Sequence, residues 1–167
     1  MKTYTYIDNS NVYIEGSRIA AVKNEMARNI VDAMNNHKTD FSWQLDYGKL
    51  HMFLCGNNKN EIGAARFWGS PPPSDTFWKM VKRKGFDVKT YEKSHGKEKK
   101  VDVAIAHRMT KDAYTIIDKT TDEITLVATL QFRGRRRETV HFDRPYFAAP
   151  LQRIVRRISW FVATRRK

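Results

Sequence analysis

Thr5-Tyr6-Ile7-Asp8-Asn9-Ser10-Asn11-Val12-Tyr13 is the stretch from which the fold is read. Tyr4, Tyr6 and Ile7 favour extended backbone, because aromatic and β-branched side chains pack well on a pleated surface. Asp-Asn-Ser-Asn then interrupts the run with side chains that favour turns and helix caps. The pattern predicts a first strand delivering Asp8 to its carboxyl end, with Asn9 to Asn11 leading out of the sheet. In an open α/β sheet the ligand crevice lies outside the carboxyl ends of the strands, where the strand order reverses. An acid there, with an amide three residues on, suits a divalent cation held through oxygen. Asp8 as a simple cap on the next element fits the same residues, and the stretch alone leaves both readings open.

Working outward, residues 19–34 place Ile19, Val22, Met26, Ala27, Ile30 and Ala33 at helical spacings, which predicts one amphipathic helix. Residues 35–38 end it, and residues 41–49 read as a connection. Residues 50–54 read as the second strand, stopped by Gly56-Asn57-Asn58. Residues 61–68 suit one or two helical turns, followed by a loop at Gly69-Ser70-Pro71-Pro72-Pro73. Ser74 or Asp75 caps a helix through Phe77, Met80 and Val81, with Gly85 as its stop. Residues 87–91 are a third strand, residues 93–100 an exposed basic loop, and residues 101–116 a second strongly amphipathic helix. Residues 124–128 read as a buried strand. Strands alternating with helices predict an α/β fold: a mostly parallel sheet with helices on both faces.

At 167 residues the chain is read as one domain, large enough for a core without disulfides. Its single cysteine, Cys55, lies in an apolar run and is expected to be a buried packing residue. No apolar run approaches the roughly 20 residues of a membrane span. With no signal-peptide core at the amino end, the expected location is cytoplasmic. The net charge of +13 points to a polyanionic partner, nucleic acid first. That charge is uneven: residues 1–128 carry +4, mostly with lysine as the cation, and residues 129–167 carry +9, almost all from arginine.

Asp102 is the second acid of interest. It lies in the first turn of its predicted helix, where the macrodipole favours a carboxylate for purely structural reasons. The same helix starts from the sheet edge to which Asp8 is delivered. Lys97, Lys99 and Lys100 precede it and are candidates for phosphate contacts. Two acids from separate elements beside a basic loop suggest a metal-dependent phosphodiesterase.

Tyr6-Ile7-Asp8-Asn9-Ser10-Asn11-Val12 resembles the opening motif of NYN domains, relatives of the PIN-like ribonucleases. Lys99-Lys100-Val101-Asp102-Val103-Ala104-Ile105 resembles that family's second motif, and Ile124-Thr125-Leu126-Val127-Ala128 the strand leading into its third. The resemblance covers about residues 3–128. It implies a PIN-like three-layer sandwich and RNA cleavage dependent on Mg²⁺ or Mn²⁺. Asp8 and Asp102 would be the metal ligands, and Asn11 would complete the catalytic set. The family's Gly-Asp-x-Asp motif is missing, since Ala128 is followed by Thr129-Leu130-Gln131-Phe132-Arg133. His107 stands where many members carry another Asp, and Asp112 is about two and a half helical turns from Asp102. A catalytically degenerate RNA-binding module of the same fold is therefore the alternative expectation.

Other chemistries lack their residues. The sequence contains neither G-x-x-x-x-G-K-[ST] nor G-x-G-x-x-G, and its histidines and lone cysteine have no zinc spacing. Trp43, Trp68 and Trp78 are candidates for stacking on bases or, more simply, for the core. In the carboxyl segment, Arg133, Arg135, Arg136 and Arg137 would contact RNA phosphates. Residues 139–142 would form a last strand, and Leu151, Ile154, Val155, Ile158 and Phe161 keep helical spacing. The composition change coincides with the lost motif. Divergence into an RNA-binding tail and a reading-frame change after about Ala128 both account for it. Docking of residues 150–166 on a membrane or a partner is a third, weaker expectation.

Overall fold

Tyr4, Tyr6 and Ile7 form a strand, β1 (Thr3–Asp8), with a neighbour on each side. The computed structural model describes residues 1–71, 74–92 and 101–127. Within them β2 (Ile62–Gly69), β3 (Asp87–Thr90) and β4 (Glu123–Val127) complete a sheet of order β3-β2-β1-β4, parallel at every pairing. The helices are α1 (Asn9–Lys23), α2 (Ile30–Asn35), α3 (Tyr47–Cys55), α4 (Thr76–Arg83) and α5 (Val101–Thr115).

Alternation along the strands divides the core in two. Tyr4 and Tyr6 face one side, where with Trp68, Ile124 and Leu126 they pack against Val101, Ile105 and Met109 of α5. Ile7 faces the other side, with Ala65 and Phe67, against Leu50 and Leu54 of α3 and Trp78 and Val81 of α4. Parallel connections are right-handed, so a chain stepping from β1 to β2 to β3 lays its helices on one face. Returning past β2 and β1 to β4 lays α5 on the opposite face. The order reverses between β1 and β4, which places the crevice at the carboxyl end of β1.

Three expected elements differ. The helix expected at residues 19–34 is two helices, and α1 starts ten residues earlier, directly after Asp8. Asn9 to Asn11 are therefore its first turn rather than a lead-out. Asn24 caps its end, and Glu25 at φ 59° turns the chain away before α2.

Residues 50–54, expected as a strand, belong to α3. Asp46 caps it by accepting from the Gly48 and Lys49 amides at 2.9 and 3.1 Å, and Gly56, at φ 80°, closes it. Residues 61–68, expected as helical turns, are β2. Its Gly and Ala content is poor for a strand, and the sheet imposes the conformation from both sides. The two exchanges cancel, so the alternation that predicted a parallel sheet survives. The helix at α4, the strand at β3, α5 and β4 are as expected within a residue or two.

Lys97, Lys99 and Lys100, the arginines at 133, 135, 136 and 137, and the strand and helix expected beyond Ala128 lie outside the described residues. Among the described residues no helix is long and apolar enough to cross a membrane.

Candidate active site

Asp8 ends β1 and, by alternation from Tyr4 and Tyr6, belongs to the sheet side covered by α5. It is only 4 % exposed, and it is the N-cap of α1. Its Oδ1 accepts from the Ser10 backbone N–H at 2.9 Å and the Ser10 hydroxyl at 2.6 Å. Its Oδ2 accepts from the Asn11 amide nitrogen at 2.6 Å. Capping explains this local geometry: Asp, Ser and Asn satisfy the amides that a helix start leaves open. The cap reading of Asp8 is thus a property of the structure. With two donors on Oδ1, a cation would have to be met at Oδ2, beside the Asn11 amide. With its nitrogen spent on Asp8, Asn11 has its amide oxygen left to offer a cation.

Asp102 stands half-buried in the first turn of α5. The direction of that helix follows from two contacts. Tyr4 donates its hydroxyl to the Ile116 carbonyl at 3.0 Å, and Tyr6 donates to Asp112 at 2.8 Å. Earlier strand residues meet later helix residues, so α5 runs antiparallel to β1. Its first turn lies at the sheet edge where Asp8 ends, on the same side of the sheet. The topology thus brings Asp8, Asn11 and Asp102 to one edge.

Neighbouring elements hold the start of α1 in place. Tyr47 donates its hydroxyl to Asn9 Oδ1 at 3.1 Å, tying the start of α1 to α3. Burial pushes the Tyr47 phenol up from its ordinary range, so it stays a neutral donor. At the end of β2, Gly69 leaves room for the Trp78 ring and the Asn9 side chain, where an added Cβ would collide with the indole. Trp78 also donates its indole N–H to the Ser70 carbonyl at 3.2 Å.

As a metal site the donor set is thin. Among the described residues no three His, Cys, Asp or Glu side chains come within reach of one ion. Two carboxylates and an amide oxygen fit an ion that keeps several waters, as Mg²⁺ does, and do not fit a closed protein cage. His107 is exposed on α5. Trp43, Trp68 and Trp78 are 9, 1 and 6 % exposed, so they are core residues and offer no face for stacking.

Sequence reasoning set Asp112 aside, and the structure gives it a different place. It is 1 % exposed beneath α5. Its Oδ2 accepts from the Tyr6 hydroxyl at 2.8 Å and from Arg66 Nε at 2.9 Å, and Arg108 Nε stands 3.0 Å from Oδ1. Arg66 also reaches Asp87 at 3.1 Å. Burial first, then the bond to Asp112, pushes the Tyr6 phenol far above its ordinary range. The available signal was Arg66, a lone charge amid Ala64-Ala65 and Phe67-Trp68, which calls for a buried partner.

Compared with known proteins, the chain matches no family model, no curated protein and no solved structure.

Proposed function

We propose that this chain is a PIN-like, NYN-type endoribonuclease that cleaves RNA phosphodiester bonds slowly, with Mg²⁺ or Mn²⁺ at an acidic site reduced to Asp8 and Asp102. The observation that carries the reading is the convergence of Asp8, Asn11 and the first turn of α5 on one sheet edge, at the reversal of strand order. The divalent ion, when bound, supplies activation of water and stabilisation of the leaving oxyanion. Asp8 and Asp102 would hold it with one carboxylate each. Asn11 fixes the Asp8 carboxylate from one side while Ser10 fixes it from the other. A ligand with both oxygens so bonded cannot swing, and that order costs nothing further when substrate arrives.

The test is cleavage of single-stranded RNA by purified protein with Mn²⁺. Wild type should cut, and Asp8→Asn and Asp102→Asn should each lose at least about tenfold in rate, about 1.4 kcal/mol of transition-state stabilisation. Equal cleavage by all three proteins would show a contaminating nuclease and end the assignment.

The thin donor set favours a second reading: the same fold holding RNA without cutting it. Affinity would then come from cations meeting phosphates, in keeping with the net charge of +13. Binding should persist in chelator and fall steeply with added salt. Binding insensitive to salt would rule this reading out.

A further inference from the structure

The apolar stripe that seats α5 on the sheet does not by itself fix where the helix stops. Val101, Ile105, Met109 and Ala113 are buried along it, and Ile117 is buried just beyond its end, each four residues from the last. A slide by four residues would lay apolar side chain on apolar side chain, and apolar contact is non-directional. The same slide would move Asp102 about 6 Å along the sheet relative to Asp8, at about 1.5 Å per helical residue.

Asp112 breaks this degeneracy. It is the buried acid of the helix, and it meets one donor from each central strand: the Tyr6 hydroxyl of β1 and Arg66 Nε of β2. Tyr6 and Arg66 are register partners, so both ties come from one level of the sheet. One helical turn away in either direction stand Arg108 and Ile116. Moving Arg108 to that level would bury two guanidiniums together, and moving Ile116 there would leave Arg66 without its buried carboxylate. Arg108 in turn closes on the second oxygen of Asp112, so the acid keeps a helix-borne partner as well.

We propose that Asp112 is the positioning residue of the candidate metal site: by tying α5 to Tyr6 and Arg66 it sets the height of Asp102 relative to Asp8. This rests on the reading of Asp8 and Asp102 as ligands, and the experiment is chosen to judge the two separately.

Nitroxide labels on Val103→Cys and Lys89→Cys, both exposed in wild type, report the distance between the first turn of α5 and β3. Cys55 is buried, and burial pushes its thiol up, which keeps it out of the labelling. The otherwise wild-type protein should give one narrow distance. Asp112→Asn retains an acceptor oxygen for the sheet donors and should keep that distance, although it unfolds more easily. Asp112→Leu should broaden the distribution or add a second distance while the circular dichroism stays native. Tyr6→Phe with Arg66→Met cuts both ties and leaves Asp112 paired with Arg108, so it should broaden likewise. It serves equally if Asp112→Leu does not fold. Unchanged distances in either folded variant would reduce Asp112 to a general stabiliser and overturn the proposal. Mn²⁺ titration of the same proteins separates the two ideas. Loss of about tenfold in affinity on release of α5 supports both. No binding by wild type ends the ligand reading and leaves the distances to decide on Asp112.

Discussion

At the scale of single residues, Asp8 performs a structural task that any test of its chemistry must respect. It caps α1 through Ser10 and accepts from Asn11. Asp8→Ala removes all three bonds and should lower stability in urea unfolding by about 1–2 kcal/mol, as for other cap deletions. Asp8→Asn keeps an oxygen for Ser10 but sets an amide nitrogen against that of Asn11, a loss of about 1 kcal/mol. Combining it with Asn11→Asp reverses the bond between the two side chains and should restore most of that loss. If the double variant is as unstable as Asp8→Asn, the Asp8–Asn11 bond is not the source of the effect. The stretch around Asp8 was legible in the sequence because cap chemistry is local. Whether Asp8 also meets Asp102 was not, because 94 residues of chain separate them.

At the scale of elements, α1 carries a glycine in its interior, which ordinarily costs about 1 kcal/mol against alanine. Gly16 is kept by contact: an added Cβ would run into the ring of Trp43, which packs across the helix. Overpacking of this kind costs about 1–3 kcal/mol, so it should outweigh the gain in helix propensity. Gly16→Ala should therefore lower the thermal midpoint. A rise would mean that Trp43 moves aside freely. The helices α3 and α5 were open to a reading of period and caps, and α5 was read correctly. For α3 the short apolar run masked a helical pattern in Tyr47, Leu50 and Leu54, bracketed by Asp46 and Gly56. β2 was not legible at all. Its glycines and alanines deny it strand propensity, and the register slip beside Gly63, where the Tyr4 ring lies, belongs to the pairing with β1.

At the scale of the whole molecule, acid should unfold the protein through a few surface carboxylates. The Arg28 backbone N–H, then Asn36 and Lys38, hold Asp32 down at about 2. The Lys49 backbone N–H chiefly lowers Asp46, and the Thr120 hydroxyl chiefly lowers Asp118. Each folded value lies below the unfolded value of about 3.9. Their contribution is therefore present above that pH and is lost as pH falls through the folded values. Thermal midpoints should drop as pH falls from about 4 to 2, and Asp32→Asn should flatten the drop. An unchanged profile would remove Asp32 from the linkage. The strand-helix alternation, the parallel sheet, the delivery of Asp8 to a strand end and the position of Asp102 in a first turn were all determined by the sequence itself. Each depends on propensity, period or capping within a few residues. The identity of β2, the turn that divides α1 from α2, the burial of Trp43, Trp68 and Trp78 and the role of Asp112 were decided only in the tertiary structure. Those depend on partners far along the chain: Arg66 and Asp112 are 46 residues apart, and no local pattern in either segment names the other.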